Sequence, residues 1–142
     1  MAQEKMYHIS QRALREGTTL TVGTYGERLR RKDFIEQKYE VHIKEEIFEM
    51  IRAQHYPQAP SRFNAVFLYP EFSIAKEYYA NHFNYQQYVY EVEVVDDHVF
   101  VAEMDLLKCD GLSVQIIKSN AHKYWHRTRK TNLAHRLTIH RI

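Results

Sequence analysis

The chain contains few residues of the types that crosslink or interrupt a fold: one cysteine, three prolines and four glycines in 142 residues. A single thiol, Cys109, excludes an internal disulfide and a zinc site built from several thiolates, so apolar burial must stabilise the fold. No run approaches the roughly 20 apolar residues of a membrane-spanning helix. The first residues also lack the basic-then-apolar order of a secretory signal. We therefore expect a cytoplasmic protein that does not interact with membranes.

Acidic residues are missing from the last part of the chain. No Asp or Glu follows Asp110, whereas seven Lys and Arg residues do, so the formal net charge of +2 is the sum of an acidic body and a basic C-terminal segment. This segment favours an anionic partner such as nucleic acid, bound through its phosphates and by base stacking. The candidate nucleic-acid contacts are Lys123, Arg127, Arg129 and Lys130. A solvated basic surface that balances the acidic first helix is the alternative.

The spacing of apolar residues predicts both strands and helices. Apolar or alternating runs indicate strands at 7–10, 18–22, 62–69, 88–95 and 98–102, and a closing strand from 137. Helical spacing predicts helices at 34–54, from about 72 to 83, and at 113–126. Asp96 and Asp97 form a two-residue turn, which predicts a hairpin of the two strands around it. We expect one α+β domain, residues 1–142, since a domain averages roughly 150 residues.

Two pairs of carboxylates are candidates for acid or base chemistry. Glu91 and Glu93 alternate along a strand, where the other interpretation is a solvated sheet face. Glu103 and Asp105 follow the next strand, where capping of a turn is the alternative. His122 and His126 have a spacing compatible with a metal site, but no carboxylate or thiolate follows them, so no metal site is predicted.

A series of short motifs resembles a known superfamily in its order and spacing. The motifs are Tyr7-His8-Ile9-Ser10, the spaced Gly17 and Gly23, the strand Ala65-Val66-Phe67-Leu68-Tyr69, a helix with Ser73, Ala75 and Tyr78, and the late hairpin. Together they resemble the NAD-binding core of the ADP-ribosyltransferases of the diphtheria toxin/PARP-like type. The likeness implies a split β-sheet core flanked by about three helices. Other motifs, among them Pro60-Ser61-Arg62-Phe63 and Tyr124-Trp125, resemble small bacterial and phage domains with no assigned function.

The resemblance implies roles for five side chains, with NAD as the substrate. His8 and Ser10 hold the ribose next to the nicotinamide, and Arg62 lies near the pyrophosphate. Phe67 and Tyr78 enclose the nicotinamide, a flat cationic ring that aromatic faces bind well. From the residues alone, Arg62 can equally form an ion pair with the acidic first helix. From the residues alone, the more common role of a histidine such as His8 is a hydrogen bond to a neighbouring loop.

The chain departs from the superfamily at the catalytic acid. Most of these transferases use a Glu on a late strand, whereas this chain has Asn132 in that region and no acidic residue after Asp110. An amide can hydrogen-bond a ribose hydroxyl but cannot act as a general base. Either Glu103 or Asp105 supplies the acid, or the chemistry is altered, or the domain binds a nucleotide without turnover.

Three functions follow from these observations. The first is transfer of ADP-ribose from NAD to a protein or a nucleic acid. The second is a catalytically inactive module that binds a nucleotide or a nucleic acid. The third is an interaction protein that uses the fold as a scaffold, for instance a phage effector of a host protein.

Overall fold

The computed structural model describes residues 4–10, 13–20, 30, 39–76, 88–94, 99–126 and 137–141. Its strands are β1 (Glu4–Ser10), β2 (Val66–Leu68), β3 (Tyr88–Val94), β4 (Val99–Glu103) and β5 (Leu137–Arg141). Its long helices are α1 (Tyr39–His55) and α2 (Val114–His126), and residues 72–76 are also helical. Short 3₁₀ helices span Arg62–Asn64 and Met104–Leu107. The expected α+β class is confirmed, in a single small domain.

The strands form two antiparallel groups that meet at one point. β1 pairs with β3 along its whole length, from Glu4 opposite Val94 to Ser10 opposite Tyr88. In the other group β5 lies between β2 and β4. Tyr7 and Tyr69 connect the groups, because the N–H of each donates to the carbonyl of the other at 2.9 and 2.7 Å. The sheet is therefore divided between β1 and β2.

The predicted hairpin is wrong. β3 pairs with β1 and β4 pairs with β5, although β3 and β4 are neighbours in sequence. Alternation along a strand indicates which face is buried, but it does not select the partner strand, and here distant strands provide the matching edges.

Two further strand predictions are corrected in part. The predicted strand 62–69 begins as a 3₁₀ helix, because the Ser61 hydroxyl accepts a hydrogen bond from the Phe63 N–H at 3.2 Å and caps that turn. Residues 18–20 of the predicted strand 18–22 are not extended into a sheet, and residues 21 and 22 lie outside the described residues.

Both long helices agree with the apolar spacing. The described part of the first predicted helix is helical from Tyr39 to His55 and ends before Pro57, which cannot continue a helix. The helices pack together on β4, and Trp125 Nε1–H donates to the Phe48 carbonyl at 2.9 Å. The main core comprises Phe48, Ile51, Phe100, Ala102, Leu106, Cys109, Ile117, Ala121, Tyr124 and Trp125.

A second cluster lies on the other side of β2. It contains Met6, Val66, Leu68 and Val94, so β1 and β3 pack against the face of β2 that the helices do not cover. No helix in the described part of the chain is long and apolar enough to cross a membrane.

Candidate functional site

His8 lies on β1 at the point where the sheet divides. Its Nδ1 is 3.0 Å from the carbonyl oxygen of Phe67. A carbonyl only accepts hydrogen bonds, so Nδ1 carries the proton and the neutral ring presents Nε2 as an acceptor. Burial lowers the pKa of His8 below its ordinary 6.5, against a smaller opposing effect of the Phe67 hydrogen bond. The imidazole is therefore neutral at physiological pH.

The division of the sheet explains why His8 makes this bond. The Tyr7–Tyr69 bridge joins β1 to the residue just after β2, and beyond it the two backbones separate. The imidazole then satisfies the Phe67 carbonyl in place of a backbone N–H. The hydrogen bond is the structural role that the sequence left open for His8. It also leaves one ring nitrogen able to accept a hydrogen bond from a ligand.

The strand register places three further side chains on the His8 face. His8 lies opposite Tyr90, and Ser10 lies opposite Tyr88. Directly opposed residues of an antiparallel pair project to the same face, with Cβ atoms roughly 4.5–5.5 Å apart. The two tyrosine rings are stacked, with centroids 6.2 Å apart and planes inclined by 26°. We call this surface the β1–β3 face; it consists of His8, Ser10, Tyr88 and Tyr90.

The two tyrosines of the β1–β3 face differ in their environment. Tyr90 is half-buried, and its hydroxyl accepts a hydrogen bond from the Leu14 N–H at 2.7 Å, which fixes the ring. Tyr88 is 36% exposed. The sequence predicted that both rings lie on one side of a strand. It did not predict that they belong to a site with His8, because their proximity to His8 depends on the pairing of β3 with β1.

The backbone carbonyl of Phe67 contacts His8, but the Phe67 ring does not lie on the His8 face. The pairing of Tyr7 with Tyr69 places the Phe67 side chain on the opposite face of the sheet from His8. The Phe67 ring lies against the Arg62 guanidinium, whose central carbon is 4.6 Å from the ring centroid. The expected nicotinamide contact of this ring stays a prediction, but the ring does not lie on the same face as His8. Tyr78, its expected partner, lies outside the described residues.

Arg62 forms a buried ion pair with Glu45 on α1. Its Nε donates to Glu45 Oε2 at 2.8 Å and its Nη2 to Oε1 at 3.0 Å, while Nη1 donates to the Tyr124 hydroxyl at 2.9 Å. Arg62 is only 6% exposed. The guanidinium is directed at Glu45 and Tyr124, so its structural role is the ion pair with the first helix, and the expected pyrophosphate contact stays a prediction.

Lys44 adds a second cation to this pair. Its Nζ lies 2.7 Å from Glu45 Oε1 and, like Glu45, it is buried. Burial alone would raise the pKa of Glu45, but Arg62 and Lys44 outweigh that effect and lower it from 4.5 to about 2. Burial has the opposite consequence for Lys44, whose pKa it lowers.

Comparison with known protein families gives one match. A family model described as a protein of unknown function, DUF2441, covers residues 2–140. The chain belongs to this family. No curated protein matches it. Evidence for the function of this DUF2441 member therefore comes from its own residues.

The candidate catalytic acids of this DUF2441 member lie on β3, at the end of β4 and in the 3₁₀ helix that follows it. Glu103 is buried at the end of β4, and β5 and β2 lie between that strand and β1. Asp105 follows in a 3₁₀ helix, where it forms an ion pair with Lys108 at 3.7 Å. Glu91 and Glu93 are exposed on β3, and Glu91 pairs with Lys5 at 3.3 Å. Asn132 lies outside the described residues.

The basic surface of the DUF2441 member is described only in part. Lys123 is exposed on α2, whereas Arg127, Arg129 and Lys130 lie outside the described residues. His122 and His126 both pack on Tyr56, whose hydroxyl is 3.0 Å from His122 Nδ1. Within the described ranges, no three His, Cys, Asp or Glu side chains form a group that could hold a metal ion.

Proposed function

We propose that the chain is an ADP-ribosyltransferase-like domain that binds NAD on the β1–β3 face. The observation that carries this proposal is the state of His8: its Nδ1–H is held by the Phe67 carbonyl, so Nε2 can accept a hydrogen bond from a ribose hydroxyl. Ser10 is two residues further along the same face and can contact the same sugar. The division of the sheet between β1 and β2 supports the split-sheet architecture that the sequence resemblance implies.

The nicotinamide ring in this proposal stacks on Tyr88 and Tyr90. These rings take the role that the resemblance implies for Phe67 and Tyr78. They lie on the strand opposite His8 and Ser10, so a ribose bound there brings its attached base to the tyrosines. An aromatic face attracts a cationic ring such as nicotinamide by both stacking and cation–π interaction.

The proposed reaction is transfer of ADP-ribose to a protein or a nucleic acid. The bond between ribose C1′ and the nicotinamide nitrogen breaks, and its electron pair leaves with nicotinamide. A nucleophilic oxygen or nitrogen of the acceptor bonds to C1′ and loses its proton to solvent or a carboxylate. His8 and Ser10 hold the ribose while positive charge develops on it.

Calorimetric titration with NAD tests binding directly. We expect the natural chain to bind NAD and His8→Ala to bind at least tenfold more weakly, since it loses the ribose acceptor. His8→Ala also leaves the Phe67 carbonyl without its donor, so its folding is checked by circular dichroism. The control is Tyr56→Phe, which should bind like the natural chain. Tyr56 directly follows α1 and packs on His122 and His126 near the C-terminal end of α2.

Incubation with NAD labelled in its adenylate phosphate, together with cell lysate or oligonucleotides, tests transfer. Label in a macromolecule supports the transferase. Binding without label identifies the alternative, a nucleotide-binding module without turnover. Absence of both binding and label overturns the proposal.

A second candidate function is nucleic-acid binding by the basic C-terminal segment. It is supported by the exposed Lys123 and by the neighbouring His126, which is also exposed at the end of α2. Binding to single-stranded oligonucleotides should weaken steeply with salt and be lost when Arg127, Arg129 and Lys130 are replaced by Ala. Binding that does not respond to salt would contradict this second function.

A further inference from the structure

Three contacts connect α1 to the imidazole of His8. Both oxygens of the Glu45 carboxylate accept hydrogen bonds from Nε and Nη2 of the Arg62 guanidinium. The guanidinium lies 4.6 Å from the centre of the Phe67 ring, and the Phe67 carbonyl accepts the Nδ1–H of His8 at 3.0 Å. Glu45 is 1% exposed and Arg62 is 6% exposed, so both groups are held within the protein.

The Phe67 side chain contacts Arg62 on the face of β2 that is opposite to Val66 and Leu68. The strand is three residues long, pairs with β5 on one side, and reaches β1 only through the bridge at Tyr69. Arg62 stands in the turn before β2 and folds back over Phe67, the middle residue of the strand. The ion pair with Glu45 fixes this guanidinium against α1, next to the Phe67 ring.

We propose that Glu45 and Arg62 are positioning residues that act through Phe67 to hold His8 in its Nδ1–H form. Without the ion pair between Glu45 and Arg62, the Phe67 carbonyl moves away from Nδ1 of His8. The proton of the imidazole then exchanges between its two nitrogens. The fraction of His8 that presents Nε2 as an acceptor then falls. The expected effect on NAD affinity rests on the function proposed above, whereas the effect on the imidazole does not.

Nitrogen-15 NMR of the histidine side chains tests the proposal, because the shifts of a neutral imidazole show which nitrogen carries the proton. His8 is assigned by comparison with His8→Gln. In the natural chain we expect one Nδ1–H form of His8 and a pKa below 6.5. In Glu45→Gln and in Phe67→Leu we expect a mixture of the two forms and a pKa below that of the natural chain, because the Phe67 hydrogen bond that raises the pKa of His8 is weakened.

The matched control is Glu46→Gln, which removes an adjacent carboxylate of α1 that also grips an arginine, Arg30, through two hydrogen bonds. It should leave the His8 spectrum unchanged. Phe67→Leu keeps the carbonyl and the ion pair but removes the ring, so it tests the connection even if Glu45→Gln fails to fold. Arg62→Lys keeps the charge but loses the two-point grip, and it should resemble Phe67→Leu.

An unchanged Nδ1–H form and an unchanged pKa in the folded Phe67→Leu and Arg62→Lys variants would overturn the positioning role. If the natural chain binds no NAD while His8 responds to these variants, the proposed function fails and the positioning role stands. If NAD binds and His8 does not respond, only the positioning role fails.

Discussion

Glu45 and Arg62 are 17 residues apart in the chain and form a buried, two-point ion pair between α1 and the turn that precedes β2. Both groups lose their hydration on folding, so their attraction must compensate a desolvation cost of several kcal/mol for each ion. The geometry supplies that compensation, because the guanidinium also donates to Tyr124 and the carboxylate also accepts from Lys44. Removal of both partners should therefore cost less than the sum of the two single removals.

Arg62→Met should destabilise the protein by about 3–5 kcal/mol, because it leaves the Glu45 carboxylate buried with one cation instead of two. The double variant Arg62→Met with Glu45→Leu should lose less than the sum of the two single changes. Urea unfolding followed by circular dichroism measures both effects. A loss below about 1 kcal/mol in Arg62→Met would show that the pair is not important for folding.

Acid should destabilise the protein through Glu45. Its pKa is about 2 in the folded state and 4.5 as the ordinary value, so the folded state favours the ionised carboxylate. The resulting stability is fully present above pH 4.5 and is lost as the pH falls from 4.5 towards 2. The shift corresponds to about 3 kcal/mol as an order of magnitude. Urea midpoints measured between pH 6 and pH 2.5 should fall more steeply for the natural chain than for Glu45→Gln.

Lys44→Met should have a much smaller effect than Arg62→Met, within about 1 kcal/mol of the natural chain in either direction. Burial lowers the pKa of Lys44, which means that its charge is costly in the folded state. Glu45 still keeps its two-point contact with Arg62 when Lys44 is replaced. The contribution of Lys44 to stability should also improve as the pH rises through its lowered pKa towards 10.5, and Lys44→Met should lose that improvement. A loss of 3 kcal/mol or more would show that Lys44 is essential to the cluster.

Nucleotide affinity should depend on the protonation of His8. Since burial lowers the pKa of His8 below 6.5, Nε2 is a free acceptor above that pH, and affinity should be constant from pH 7 to pH 8. As the pH falls through the folded pKa, the proton on Nε2 removes the acceptor and affinity should fall. NAD titrations between pH 5 and pH 8 measure this effect, and His8→Gln, which does not titrate, should show no such decline. Tighter binding at low pH would instead indicate that the imidazolium pairs with a phosphate.

The sequence predicted the part of the candidate site that lies on a single strand. His8 and Ser10 lie in a short β-prone run, and that run is β1 in the structure. Tyr88 and Tyr90 were assigned to a common strand face, but only the pairing of β3 with β1 brings that face beside His8. For Phe67, the sequence predicted the strand correctly, whereas the direction of its ring depends on how β2 meets β1.

The sequence by itself determined the two long helices, most of the strands and the separation of an acidic body from a basic end, because these depend on the spacing and type of residues close along the chain. Only the tertiary structure decided that β3 pairs with β1 and not with β4, that Arg62 pairs with Glu45, and that the Phe67 carbonyl fixes the proton of His8 on Nδ1. Each of these contacts joins residues distant in sequence. Their formation depends on which strand edges and buried charges complement one another in three dimensions, and local spacing carries no information about that.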